Sequence, residues 1–172
     1  MATRGGCKMY PIPEHPLLKS ALDKALRITG QSLGNIQLID WEAGCMEIAA
    51  QRGFSSEFLD CFRRVTTRDD CACGRALLAR TRIIIDNVAG DRRFSPFLGV
   101  AERAGFKAVQ STPLVSSSGA LVGVISTHGG HSPTNEQLGQ ISSLAFETAN
   151  ELIRWRAHFE RDGVRRDGMK IT

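Results

Sequence analysis

GFKAVQSTPLVSSSGALVGVISTH, residues 105–128, reads as two strands joined by a tight turn. Ala108, Val109, Leu114 and Val115 supply the apolar positions of the first strand, and Leu121, Val122, Val124 and Ile125 those of the second. Ser116-Ser117-Ser118-Gly119 between them is a cluster of small polar residues and glycine that favours reversal. Small polar groups (Gln110, Ser111, Thr112, Ser126, Thr127, His128) interrupt runs that should be buried. Buried polar groups need partners, in the protein or in a ligand.

Outward from this hairpin the pattern is regular. From Pro16, the apolar residues Leu17, Leu18, Ala21, Leu22, Ala25, Leu26 and Ile28 recur at helical spacing, and Gly30 is the stop signal. Gly34 to Asp40 and Cys45 to Arg52 predict a first hairpin. Ile36 and Leu38 should share one face of its first strand, and Met46, Ile48 and Ala50 one face of its second. Ser55 and Ser56 offer caps for a short helix carrying Phe58, Leu59 and Phe62 and ending near Val65. Asp69 to Gly74 is a loop entering a helix that runs to Arg80, and Arg82 to Asp86 is a β-branched strand. A loop, Asn87 to Pro96, leads to a short helix from Phe97 to Ala104. Thr134 with Gln137 forms a capping box ahead of a long apolar pattern: Leu138, Ile141, Leu144, Ala145, Ala149, Leu152, Ile153. Helix, hairpin, helices, strand, hairpin and long helix make an α+β fold with an antiparallel sheet. Residues 1–15 read as an extended lead-in, 16–160 as one domain, and 161–172 as a disordered tail.

Composition narrows the function classes. With 172 residues the chain can bury roughly 70% of its unfolded surface, so neither disulfide nor metal is needed for folding. The net charge of +4 is mild and aromatic residues are 6% of the chain, which argues against a base-stacking nucleic-acid platform. The arginine clusters (Arg63-Arg64, Arg92-Arg93, Arg154 to Arg166) read as solvated surface. No apolar run approaches the roughly 18 residues of a membrane span, and the first 18 residues lack a signal-like apolar core. The expectation is a cytoplasmic protein with five reduced cysteines.

Four stretches resemble GAF domains of bacterial sensors, in the order that family expects: AQRGF (50–54), CGRAL (73–77), IIIDNVAGDRRF (83–94) and AGFKAVQSTPLVSSSGALVGVISTH (104–128). The resemblance spans about residues 16–155. It implies a central antiparallel sheet of order 2-1-5-4-3, with the N- and C-terminal helices on one face and loops and short helices enclosing a pocket on the other. Relatives bind cyclic nucleotides, bilins, haem, iron, nitrate or metabolites, and many act only as dimerisation modules, so the fold does not name the ligand.

The candidate site residues are Cys73, Arg75, Asp86, Phe94, Phe106, Gln110, Ser111, Thr112 and His128. Cys73 lies at a helix N-terminus, which can lower a thiol pKa. Cys73-Gly74 also matches the place of a cysteine in free methionine-R-sulfoxide reductases of the family. The further cysteine those enzymes need after the third strand is missing from NVAGDRRFSPFLGV (87–100). Cys73 is thus a reductase centre, a regulatory thiol or a small capping residue. Cys71-x-Cys73 is too short for a zinc knuckle or a C-x-x-C redox motif. Bilin attachment lacks its Cys-His pair, and cyclic-nucleotide binding lacks the family's Asn-Lys-Phe-Asp-Glu signature. His128 is a hydrogen-bonded structural residue or a metal or haem ligand without a visible partner set. Gln110, Ser111 and Thr112, with Arg75 and the Asp86 loop, either line a polar pocket or satisfy one another, Asp86 then pairing with Arg92 or Arg93. Phe94 and Phe106 are its apolar wall or plain core.

Together these readings predict a non-enzymatic sensory domain that binds an unidentified small ligand and signals through its terminal helices. It would act as a homodimer through Leu152 and Ile153, with a separate sensor kinase as a further partner. The alternatives are a thiol-dependent reductase centred on Cys73 and a ligand-free dimerisation module.

Overall fold

The hairpin of residues 105–128 lies inside a six-stranded antiparallel sheet in the computed structural model, which describes residues 15–167, with side chains through residue 158. The elements are α1 (Pro16–Thr29), β1 (Leu33–Asp40), β2 (Cys45–Arg52), α2 (Ser56–Cys61), β3 (Arg64–Val65), α3 (Ala72–Ala79), β4 (Ile83–Ile85), a 3₁₀ segment (Arg92–Phe97), α4 (Leu98–Ala104), β5 (Ala108–Val115), β6 (Leu121–Gly129) and α5 (Asn135–Asp167). Strand order is β3-β2-β1-β6-β5-β4. Without the two-residue β3 this is the expected 2-1-5-4-3. The extra strand occupies the stretch where α2 was expected to continue. α2 stops at Cys61, and Arg64 and Val65 pair with Glu47 and Met46 at the sheet edge.

Local chemistry explains the boundaries. His15 caps α1 by accepting from the Leu17 amide, and Gly30 closes it with φ of 67°, a left-handed conformation that glycine adopts without Cβ strain. Ser55 caps α2. The capping box of α5 forms as expected: Thr134 Oγ1 accepts from the Gln137 amide and Gln137 Oε1 from the Thr134 amide. Helical backbone in α5 continues past Arg161 to Asp167. The expected lead-in, apart from His15, and residues 168–172 lie outside the described residues.

The sheet has one core on each face. Leu18, Ala21, Leu22 and Ala25 of α1 and Ile141, Leu144, Ala145, Ala149 and Leu152 of α5 pack on Ile36, Leu38, Leu114, Val122 and Ile125. Phe54, Phe58, Phe62, Cys71, Cys73, Ile85, Phe94 and Phe106 form the core of the opposite face with Ile39, Met46, Val109 and Val124. Both terminal helices therefore share a face.

Two bulges redirect side chains. In the β1–β2 ladder Ile36 faces Ala50 and Gln37 faces Ile48, so Ala49 is extra. Met46 and Ile48 point to the aromatic core, but beyond the bulge Ala50 joins the helix-side core, contrary to simple alternation. In the β5–β6 ladder Leu114 faces Gly123 and Val115 faces Leu121, so Val122 is the extra residue. Leu152 is fully buried against the sheet. It is a core residue and offers nothing to a partner, which corrects its expected role in a dimer interface. Ile153 beside it is only half-buried.

Candidate functional site

Register across β1, β6 and β5 brings three small polar residues into one row. Asn35 lies opposite Ser126, and Ser126 opposite Ser111. The two serine hydroxyls are hydrogen-bonded at 2.7 Å. One row along, His128 pairs with Leu33 and with Val109. Because side chains alternate along a strand, Asn35, Ser111, Ser126 and His128 all face the aromatic core.

Over them closes a roof from α2, α3 and the segment 92–106. Phe58, Phe62, Phe94 and Phe106 meet Cys71, Ala72 and Cys73 around a cavity of about 10 Å³, space for one water. Phe54 and Phe58 stack at 3.6 Å between centroids, and the edges of Phe54, Phe58 and Phe106 surround the His128 imidazole at 5.1, 5.8 and 4.7 Å. Burial among these rings pushes the His128 pKa down to about 3, only partly opposed by a backbone hydrogen bond at Leu33, so the ring is neutral. Its Nδ1 and the Asn35 Oδ1 are buried without a partner. Two residues of the cavity lining thus carry buried acceptors whose hydrogen-bonding capacity is unused.

The cysteines lie on the α3 side. Cys71 Sγ and Cys73 Sγ are 3.4 Å apart, and both residues are buried. Their contact, together with the Gly74 amide, outweighs burial to lower the Cys71 pKa. The same contact and burial push Cys73 well up. Cys71, not Cys73, is therefore the better nucleophile. Gly74 allows this turn to close: a Cβ there would collide with the Asp69 carbonyl and lie 2.9 Å from that of Thr66. Asp69 holds the turn by accepting from the Thr66 amide and hydroxyl at 2.7 and 2.9 Å.

Of the nine candidate residues, the structure brings five to this cavity: Cys73, Phe94, Phe106, Ser111 and His128. Gln110 and Thr112 are on the other face, since neighbours of Ser111 in a strand must point away from it. There they form a relay: Arg82 Nε donates to Thr112 Oγ1, Thr112 to Gln110 Oε1, and Gln110 Nε2 to Thr127 Oγ1. Arg75 is committed to Asp91 at 2.7 Å. Burial raises the Asp91 carboxyl, but hydrogen bonds from Arg75 and from the Phe94 and Arg93 amides prevail and hold it low. Asp86 is exposed and accepts from Ser132 Oγ, while Arg93 pairs with Asp70. The expected Asp86–arginine pair is replaced by these contacts.

Sequence reasoning missed Asn35, Phe58, Phe62, Cys71, Ala72 and Val109 as lining residues, and singled out Ser126 only as a polar group in need of a partner. A polar residue interrupting β1 at Asn35 was the available signal, and its meaning depends on register. Gln37, also unremarked, is fully buried and donates to the Phe62 carbonyl at 3.2 Å, tying the end of α2 to the sheet. Among the described residues no three His, Cys, Asp or Glu side chains converge as a metal site. None of the described helices is long and apolar enough to cross a membrane.

A family model described as GAF domain matches residues 13–152. No curated protein is significantly similar to the chain. Among solved structures, a domain from a protein described as a two-component sensor histidine kinase of Sinorhizobium meliloti superposes with a TM-score of 0.68 at 22% identity, covering 86% of this chain and 95% of that one. Free methionine-R-sulfoxide reductase from Neisseria meningitidis, with its substrate, gives 0.58 at 17% identity, over 79% and 78%. Bacteriophytochrome RpBphP3 of the photosynthetic bacterium R. palustris gives 0.62 at 19% identity, over 94% of this chain and 38% of that one. At these identities the likeness concerns the fold.

Proposed function

Because the chain belongs to the GAF domain family, we propose that it is a non-enzymatic sensory module whose ligand enters the cavity under the α2–α3–α4 roof and whose output is carried by α1 and α5. One observation carries this reading. A small cavity whose lining residues Asn35 and His128 carry unpartnered buried acceptors, Oδ1 and Nδ1, backs directly onto a sheet whose other face holds both terminal helices. At about 10 Å³ the cavity admits nothing much larger than water without movement of the roof. Ligand binding and displacement of the phenylalanines are then the same event, and the shifted roof is the state a ligand selects. The ligand donates hydrogen bonds to Asn35 and the neutral His128.

The terminal helices would transmit that shift to a second copy of the chain or to a sensor kinase. The outer flank of α5, with exposed Phe146 and half-buried Ile153, is the surface for such contact. Native mass spectrometry of the freshly purified protein, followed by thermal unfolding with amino acids, nucleotides, nitrate, haem and iron, tests the ligand half. A retained small molecule, or one compound raising the unfolding midpoint by several degrees at saturation, supports it. No retained species and no shift leave the ligand-free dimerisation module. Sedimentation of Phe146→Glu tests the contact surface, which a dimer unaffected by that change, or a monomeric parent, would remove.

A second reading has one observation behind it. Two thiols line the cavity of a chain that shares its fold with a sulfoxide reductase. The lowered pKa of Cys71 would make it the attacking thiol in place of Cys73. Turnover of free methionine sulfoxide with a thiol donor, lost in Cys71→Ser, would establish this activity.

A further inference from the structure

We propose that Cys71 and Cys73 form an oxidation site for hydrogen peroxide, converting to an intramolecular disulfide inside the folded domain. Three observations meet here. The two sulfurs are 3.4 Å apart, with only Ala72 between them in the chain. A disulfide bond of about 2.05 Å requires the sulfurs to close the remaining gap. Both cysteines line a cavity large enough for one water, so the oxidant that reaches them must be very small. Asn35 and His128 line the same cavity and carry buried, unpartnered acceptors, Oδ1 and Nδ1. Hydrogen peroxide has two O–H donors and is one heavy atom larger than water. A bulky hydroperoxide fits neither the volume nor the pair of acceptors.

The chemistry balances within the site. Cys71, as thiolate, attacks one peroxide oxygen; an S–O bond forms and the O–O bond breaks. The departing hydroxide takes up the proton that Cys71 released and leaves as water. Cys73 Sγ then attacks the Cys71 sulfur of the sulfenic acid. The S–S bond forms, the S–O bond breaks, and the second hydroxide leaves as water with the proton of Cys73. The dithiol gives up two electrons and peroxide accepts them. The lowered pKa of Cys71 and the raised pKa of Cys73 suit this order, and burial keeps Cys73 protonated until it is needed.

Cys61 provides an internal comparison. It is exposed, yet burial of its sulfur and neighbouring negative charge raise its pKa, so exposure and thiolate character favour opposite sites. Oxidation at the dithiol needs no bound ligand, so it stands or falls separately from the sensory reading.

The test treats the reduced full chain with one equivalent of hydrogen peroxide, alkylates remaining thiols and digests with trypsin. Residues 69–75 are released as one peptide holding Cys71 and Cys73 and no other cysteine. The expected result is loss of two hydrogens from that peptide and its escape from alkylation, with Cys61 still alkylated. Cys73→Ser should leave Cys71 as a sulfenic acid trapped by dimedone, and cumene hydroperoxide should oxidise the pair more slowly than hydrogen peroxide. Oxidation of Cys61 ahead of the pair, or a Cys61–Cys71 link, overturns the site. Equal rates with cumene hydroperoxide overturn access through the cavity.

Discussion

Arg82 donates through Nε to Thr112 Oγ1 at 2.9 Å, on the face of the sheet opposite the cavity. Its Nη2 reaches the Leu138 carbonyl and Ser142 Oγ, both at 2.7 Å. One side chain at the start of β4 therefore ties the strand beneath the roof to the first turns of α5. Burial lowers the Arg82 pKa, but a guanidinium remains charged, so each of these bonds is charge-assisted.

Replacing Thr112 with valine should destabilise the domain by about 1–3 kcal/mol, because Arg82 Nε and Gln110 Oε1 both lose a partner while shape is kept. Urea unfolding monitored by circular dichroism measures it. A null effect would mean that the relay contributes nothing beyond packing. Since Thr112 does not line the cavity, any ligand found for the domain should bind Thr112→Val in its native state as it binds the parent.

Gly74→Ala should be more damaging than its position in a helix suggests. Alanine normally favours a helix over glycine by about 1 kcal/mol. Here the added Cβ meets the Asp69 and Thr66 carbonyls, which cannot move without opening the turn that Asp69 holds. A net loss of about 1–3 kcal/mol follows from overpacking of this kind, read as a lower urea midpoint. A stabilised Gly74→Ala would show that the turn is free to shift.

The limits of sequence reading follow from the same contacts. The hairpins, the capping box at Thr134 and the location of α1 and α5 were legible because each rests on local periodicity and turn chemistry. The GAF resemblance then supplied strand order. What failed was face assignment. Period-2 alternation alone separates Ser111 from Gln110 and Thr112, and grouping them in one pocket ignored that rule. The bulges at Ala49 and Val122 break alternation without any sequence mark, since alanine and valine are ordinary strand residues. Asn35 became a site residue only through its register with Ser126, and Arg82 became a tie to α5 only through a contact with a residue 60 positions away. Those facts depend on long-range pairing.

Asn35→Leu should leave the domain as stable as the parent or more so. The Asn35 Oδ1 is buried without a donor, and an apolar side chain of similar volume removes that unsatisfied acceptor. The same change should abolish any stabilisation by a ligand that donates to this oxygen. Thermal unfolding of the two proteins, alone and with whatever compound stabilises the parent, compares both effects. A strong destabilisation of the unliganded variant would mean that a bound water already satisfies Asn35.

His128 makes stability depend on pH in a predictable direction. Its pKa is about 3 in the folded protein against 6.5 for the free side chain. Between those values the unfolded chain binds a proton that the folded chain refuses, so stability falls as pH falls. The contribution is fully retained above pH 6.5 and declines toward pH 3, by up to about 1.4 kcal/mol per pH unit in the middle of the window. Carboxylates titrate in the lower part of the same range, so the informative quantity is the difference from a variant. His128→Phe keeps a ring among Phe54, Phe58 and Phe106 and removes the titration. Urea midpoints of parent and variant at pH 7.5, 6, 5 and 4 should diverge steadily as pH falls, with the parent the more sensitive. Parallel curves would show that water or a donor reaches the imidazole, and with it that the cavity is open in solution.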